Sequence, residues 1–264
     1  MQLITSKDNE VIKNIRKLKE KKYRDINNEY IVEGLKMLKE AIVENAEIKL
    51  IVVCEEFLQD GCIDNKLKYE IAKYECIYVN KKVFTILTDV QNPQGLLAVI
   101  KKQNKEEDID YKQEIIVALD GIQDPGNLGT ILRTIDSVGL NQVIVSKDTA
   151  DAYNPKVVRS TMGAIFRVNV IETENLLNTL KNAKKHHYKI MATSLENSTS
   201  IYETEYNKKI IVIGNEANGV SREILEYADE KIKIPMLGKT ESLNASVATG
   251  IVLYEYVRRK NQSK

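Results

Sequence analysis

Residues 234–259, IPMLGKTESLNASVATGIVLYEYVRR, decide how the chain is read, because polar residues there give way abruptly to a long apolar helical pattern. A turn containing Gly238, Thr240, Glu241 and Ser242 delivers Leu243, Asn244 and Ser246 to the first turn of that helix, where free backbone N–H groups can hold a polar ligand. The same residues also fit an ordinary amphipathic helix that Ser242 caps and whose Val247, Ile251, Val252, Leu253 and Tyr256 face a core. Gly238-Lys239-Thr240 imitates the end of a phosphate-binding loop. That pattern needs a further glycine five residues before Gly238, and Lys233 stands there, within strand-like sequence. A nucleoside-triphosphatase loop is therefore excluded.

Upstream lie IIVALD (115–120), QVIVS (142–146), KIMATS (189–194), IIVIG (210–214) and KIKIP (231–235). Short β-branched runs of this kind, with helical sequence between them, predict strands of a parallel sheet buried on both faces. Ligands of such sheets bind at the carboxyl ends of the strands, so the residues after each run carry the functional reading. After the first run comes DGIQDPGNLGTILRTIDSVG, in which Gly121, Gly126 and Gly129 permit a close-wound loop and Asn127 can cap the helix. Arg133 lies one and a half turns further on. This is not a GxGxxG dinucleotide loop. After IIVIG comes NEANGVS: Gly214 allows close backbone approach, Glu216 is a lone carboxylate, and Gly219 ends a turn before Ser221 caps the next helix.

Asn127 with Arg133, then Gly214 to Gly219, then Ile234-Pro235 with Ser242-Leu243-Asn244-Ala245-Ser246, together resemble the three ordered motifs of the SpoU (TrmH-like) RNA 2'-O-ribose methyltransferases. The resemblance covers residues 114–260. One departure is Ala245, where the family more often has valine, a change of volume rather than of chemistry. YIVEGLKMLKEA and NPQGLLAVI are similar to the N-terminal RNA-binding domain that many of these enzymes carry. The resemblance implies a SPOUT fold, an α/β sheet threaded into a C-terminal trefoil knot, which is an exception to the rule against threaded chains. Alternating strands and helices alone lead to an unknotted doubly wound sheet.

The family resemblance also implies S-adenosylmethionine as cofactor, held at Gly214, Ile234 and Leu243, with Leu195 close by. An apolar slot of Leu195, Ile234, Met236 and Leu243 with backbone donors and acceptors suits a flat adenine. The resemblance places Arg133 beside the reacting ribose, and a pKa above about 12 makes its neutral form scarce at pH 7. Arg133 is accordingly expected to clamp a phosphate and to stabilise the developing alkoxide. Asn127, Glu216, Ser242 and Asn244 would orient the ribose and the arginine, and which of them takes the proton stays open. Related enzymes pair through the C-terminal helix, which implies a homodimer in which Arg133 serves the other subunit's cofactor.

The N-terminal half reads as a second, smaller α/β domain. Strand-like YIVEG (30–34), LIVVC (50–54), CIYV (76–79) and LLAVI (96–100) alternate with helical LKMLKEAIVENA, IDNKLKYEIAKY and a short helix near residues 83–87. KKQNKEEDIDYK (101–112) has almost no apolar content, so the expected domains are 1–103, a linker at 104–113, and 114–264. Net charge is only +1, yet the first 24 residues hold eight Lys or Arg against three acids. Ser6 can cap a helix with a Val11, Ile12, Ile15 and Leu18 stripe. Its Lys17 and Lys21, with Arg24, form either a solvated face or an RNA-contacting arm. Cys54, Cys62 and Cys76 show no CxxC pair and are odd in number, so neither zinc nor a disulfide framework is expected. His186 and His187 are adjacent and point to different sides of a helix, which leaves the chemistry to run without histidine or metal. With no apolar run near 18 residues and no signal-like start, a soluble cytoplasmic protein is expected. The substrate implied is large-subunit (23S) ribosomal RNA. The alternatives are transfer RNA, or a catalytically silent RNA-binding or ribosome-assembly factor.

Overall fold

β-Branched runs become strands, and the computed structural model describes residues 3–58, 63–103 and 109–262. Cys62, Lys264 and the first half of the expected linker lie outside the described residues. Chain contacts divide the protein into two units, residues 1–104 with 153–166, and residues 105–152 with 167–264.

The first unit carries β1 (Leu3–Ile4), α1 (Glu10–Lys17), α2 (Lys21–Asn27), β2 (Glu29–Glu33), α3 (Leu35–Val43), β3 (Ile48–Val53), α4 (Asn65–Ile71), β4 (Cys76–Val79), α5 (Lys81–Leu87) and β5 (Leu96–Lys101). Its five-stranded sheet has the order β1-β4-β3-β5-β2, with β5 antiparallel to both β2 and β3. Ile12, Ile15 and Leu18 meet Val83, Phe84 and Leu87 over Val52 and Val99 in one apolar cluster. Asn9, not Ser6, caps α1, its Oδ1 accepting from Val11 N at 2.9 Å.

The second unit is built on β6 (Ile115–Asp120), α6 (Pro125–Ser137), β7 (Gln142–Ser146), β8 (Asn169–Thr173), α8 (Leu176–Lys185), β9 (Lys189–Thr193), β10 (Thr199–Ser200), β11 (Lys209–Gly214), α9 (Arg222–Tyr227), β12 (Glu230–Lys233) and α10 (Ala245–Gln262). Every pairing in its seven-stranded sheet, order β10-β12-β9-β11-β6-β7-β8, is parallel. Leu176, Leu180 and Ala183 of α8 and Ile224 of α9 pack on Ile116, Ala118, Ile190, Ile210 and Val212. The buried stripes of α6 (Leu128, Ile131, Leu132, Ile135) and α10 (Val252, Leu253, Tyr256) lie outside that cluster. A sheet sandwiched in this way explains why its strands read as uninterrupted apolar runs.

Between β7 and β8 the chain leaves this unit. Helix α7 (Pro155–Thr161), capped by Asn154, belongs to the first unit, where Tyr153 and Tyr30 place their rings 4.8 Å apart. The described part of the expected linker is packed rather than solvated. The Asp110 backbone exchanges hydrogen bonds with the Gln142 amide (2.9 and 2.7 Å), and the Tyr111 ring stacks on His186 at 3.8 Å. Ile109 and Tyr111 supply the apolar surface that this short polar segment otherwise lacks.

Candidate active site

The loops after β6 and β11 are stitched together at the strand ends. Asn215 Nδ2 donates to Gly121 O at 2.7 Å, and Ser221 N donates to Asp120 Oδ2 at 2.7 Å. Gly214 must be glycine, since a β-carbon would overlap the Val220 nitrogen and the Gly219 carbonyl group. The loop folds back on it through paired Asn215–Gly219 backbone hydrogen bonds, both 2.9 Å. Asn215 Oδ1 then accepts from the Ala217 and Asn218 amides, which fixes the backbone direction at Glu216.

Glu216 is thereby aimed at the start of α6. Its carboxylate accepts from Gln123 N (3.3 Å), Asp124 N (3.4 Å) and Asn127 Nδ2 (2.9 Å). Burial pushes its pKa up, but the hydrogen bonds from Asn127 and those backbone amides outweigh burial and hold it below the usual glutamate value. Asn127 Oδ1 accepts in turn from Asn244 Nδ2 at 2.9 Å. Asn244 Oδ1 accepts from Ser246 N (2.9 Å) and Ser246 Oγ (2.7 Å) at the start of α10. One continuous hydrogen-bonded chain thus joins the three loops that the sequence singled out.

Two capping expectations are corrected. Asp124 caps α6, because Pro125 at the first helical position keeps the preceding residue out of helical geometry. Asn127 therefore sits on the first turn with its amide free to bridge Glu216 and Asn244. At α10 the cap is Asn244, and Ser242 lies two residues ahead of it on the cleft wall.

Leu195, Gly214, Glu216, Ile234, Met236, Ser242 and Leu243 line a single cleft of about 510 Å³ at the carboxyl ends of β9, β11 and β12. Ala217 and Val220 also line it, and sequence reading missed both, together with the bracing role of Asn215 and the cap at Asp124. An Asp before a Pro at a predicted helix start was the signal available for the cap. Arg133 is not among the cleft residues. It is exposed on α6 and has no hydrogen-bond or ion-pair partner among the described residues.

Of the expected RNA-binding residues, Lys17 and Lys21 are exposed, while Arg24 is corrected. It is 2% exposed, and its Nη1 donates to Leu18 O (2.9 Å) and Lys19 O (2.7 Å). Those carbonyls belong to the C-cap of α1 and the residue after it, so the guanidinium satisfies the chain where the helix ends and is withdrawn from any phosphate.

Against this geometry the comparisons with known proteins are consistent. A family model described as the SpoU rRNA Methylase family matches residues 114–254, and one described as the MRM3-like substrate binding domain matches residues 9–98. The 23S rRNA (guanosine(2553)-2'-O)-methyltransferase RlmP of Bacillus subtilis is 32% identical over 255 residues, which span 96% of this chain and 98% of the relative. The AdoMet-bound rRNA methyltransferase from Sinorhizobium meliloti superposes with a TM-score of 0.86 at 31% identity over 98% of each chain. The SpoU methyltransferase AviRb from Streptomyces viridochromogenes, in complex with AdoMet, gives a TM-score of 0.83 at 23% identity over 96% of this chain and 98% of that one, a likeness of fold alone.

Proposed function

We propose, from the premise that this chain belongs to the SpoU rRNA methylase family, that it transfers a methyl group from S-adenosylmethionine to a ribose 2'-hydroxyl of RNA, specifically large-subunit ribosomal RNA. The observation that carries this reading is the chain of hydrogen bonds Asn244–Asn127–Glu216 at the edge of the apolar cleft. The residues present fit the cofactor. Leu195, Ile234, Met236 and Leu243 offer apolar surface for adenine, and Gly214, which also lines the cleft, lets the loop after β11 fold back tightly beside it.

Bound S-adenosylmethionine supplies an electrophilic methyl on a sulfonium. The ribose oxygen bonds to that methyl carbon, the carbon–sulfur pair returns to sulfur, and the hydroxyl proton leaves to a base. The protein's part is alignment and charge. Glu216, already accepting from Asn127 and two backbone amides, acts as an anchor for the start of α6 rather than as a free base. Asn127 and Asn244 orient the ribose with Ser242. Arg133, unpaired among the described residues, is assigned to the substrate phosphate and the developing alkoxide.

The reading includes the trefoil knot, a cytoplasmic location, and pairing of two chains through α10. Supporting the last point, Val247 and Tyr254 of α10 are 50% and 54% exposed, an apolar face that an isologous dimer would cover. Arg133 would then act on the partner's cofactor. The decisive experiment incubates the protein with ribosomal RNA and labelled S-adenosylmethionine and maps alkali-resistant linkages. One resistant linkage in large-subunit RNA is expected. Modification of transfer RNA alone would move the substrate, and cofactor binding without any modification would leave a silent RNA-binding protein. For the shared site, Arg133→Ala and Asn244→Ala, each nearly inactive, are co-refolded in equal amounts. Statistical pairing restores about a quarter of the sites if Arg133 crosses the interface. Mixed dimers without recovery refute that arrangement.

A further inference from the structure

Two cations at the corner between α1 and α2 meet an aromatic ring rather than an acid. Lys13 pairs with Glu10 at 3.2 Å and Lys19 with Asp89 at 2.7 Å, so their charges are largely cancelled locally. Lys17, the last residue of α1, and Lys22, early in α2, instead approach the half-buried ring of Tyr23, their Nζ atoms 5.7 and 5.8 Å from its centroid. A neutral ring contributes no countercharge, so both ammoniums keep their fields outward. Lys17 Nζ also donates to Asn14 Oδ1 at 3.4 Å, which is likewise neutral.

One helical turn beyond Tyr23, Ile26 is 66% exposed, an apolar surface beside the cations. The acids of the corner are Glu20, which is exposed at the start of α2, and Asp25, which is occupied by Lys102 at 2.6 Å. Buried Arg24 grips the carbonyls of Leu18 and Lys19, just past α1, and so braces the connection between the two helices. A fixed aromatic between two uncancelled cations, flanked by apolar surface, is the composition of a single-stranded nucleic acid contact, where bases stack and phosphates meet ammoniums.

We propose that the α1–α2 corner binds an unpaired nucleotide of the RNA substrate, with a base stacking against Tyr23 and Ile26 while Lys17 and Lys22 hold the flanking phosphates. This rests on the RNA reading above and adds a recognition mode to it. Duplex RNA presents no base face, so the corner discriminates for unpaired segments.

The test measures binding of the full chain to an oligoadenylate of about twelve nucleotides and to a duplex of the same length, over a range of salt. Tyr23→Leu keeps apolar volume but removes the aromatic face, and it should weaken single-strand binding about tenfold with an unchanged salt slope and unchanged duplex binding. Tyr23→Phe should behave as the wild type. Replacing Lys17 and Lys22 together by Gln should instead reduce the salt slope by about 1.4. Thermal melting and S-adenosylmethionine affinity report that each variant is folded. Equal single-strand affinity in Tyr23→Leu, or equal loss on single strand and duplex, overturns the stacking contact while leaving RNA binding intact. A wild-type chain that binds neither RNA overturns the parent reading as well.

Discussion

Two hollows open at opposite ends of the same parallel strands, and the larger one is not the better site. At the amino ends of β9, β11 and β12 a depression of about 720 Å³ is lined by His187, Lys189, Lys208, Lys209, Asp229 and Glu230 among others. Several of its charged groups are already paired within the protein. Lys209, 3% exposed, is bonded to Glu230, Lys184 reaches Asp229 at 2.7 Å, and Lys208 Nζ donates to Tyr111 O at 2.6 Å. At the carboxyl ends the cleft of about 510 Å³ has apolar walls, a glycine floor and a rim of amides and one carboxylate held in a fixed pattern. Volume measures room for a ligand, but apolar walls with a fixed pattern of polar groups at their rim decide whether one is recognised.

The strongest test of the difference is Leu243→Asp. A carboxylate facing the apolar slot should weaken S-adenosylmethionine binding more than about a hundredfold by calorimetry. Retained affinity would mean that the adenine does not lie there. Glu216→Gln comes next. It disturbs the anchor of α6 without touching the apolar walls, so turnover should drop about tenfold or more while cofactor affinity changes less than about threefold. The pH dependence has a definite sign. Because the folded pKa of Glu216 is lowered, its ordering contribution is fully present above the ordinary value of 4.5 and is lost only as pH falls through the lowered one. Activity between pH 5 and 9 should therefore show no limb that Glu216→Gln removes.

At the other end Glu230→Gln strips the partner from buried Lys209. This should cost about 2 kcal/mol of unfolding free energy in urea titrations, leaving cofactor affinity unchanged. A matching loss of cofactor binding would show the two ends to be coupled. Lys189→Ala, an exposed side chain on the rim of the amino-end hollow, should alter neither stability by more than about 0.5 kcal/mol nor cofactor affinity.

What the sequence determined by itself is what it encodes locally. Strands β6 and β7 begin and end where their strand-like runs do, because strands buried on both faces carry long apolar stretches. The three motif loops were legible for the same reason, since each follows a strand directly. β8 lies at the sheet edge and is half solvated, so its sequence NVIET lacks that signal, and the two-residue β1 and β10 exist only through pairing. Tertiary structure alone decided the partners. Asn127 meets Glu216 across 89 residues and Asn244 across 117, distances over which no local periodicity carries information. It also sent α7 back to the first unit and turned Arg24 from surface cation to buried clasp. Charge and spacing say that a side chain can reach, but which carbonyl or carboxylate it reaches depends on where the rest of the chain has packed.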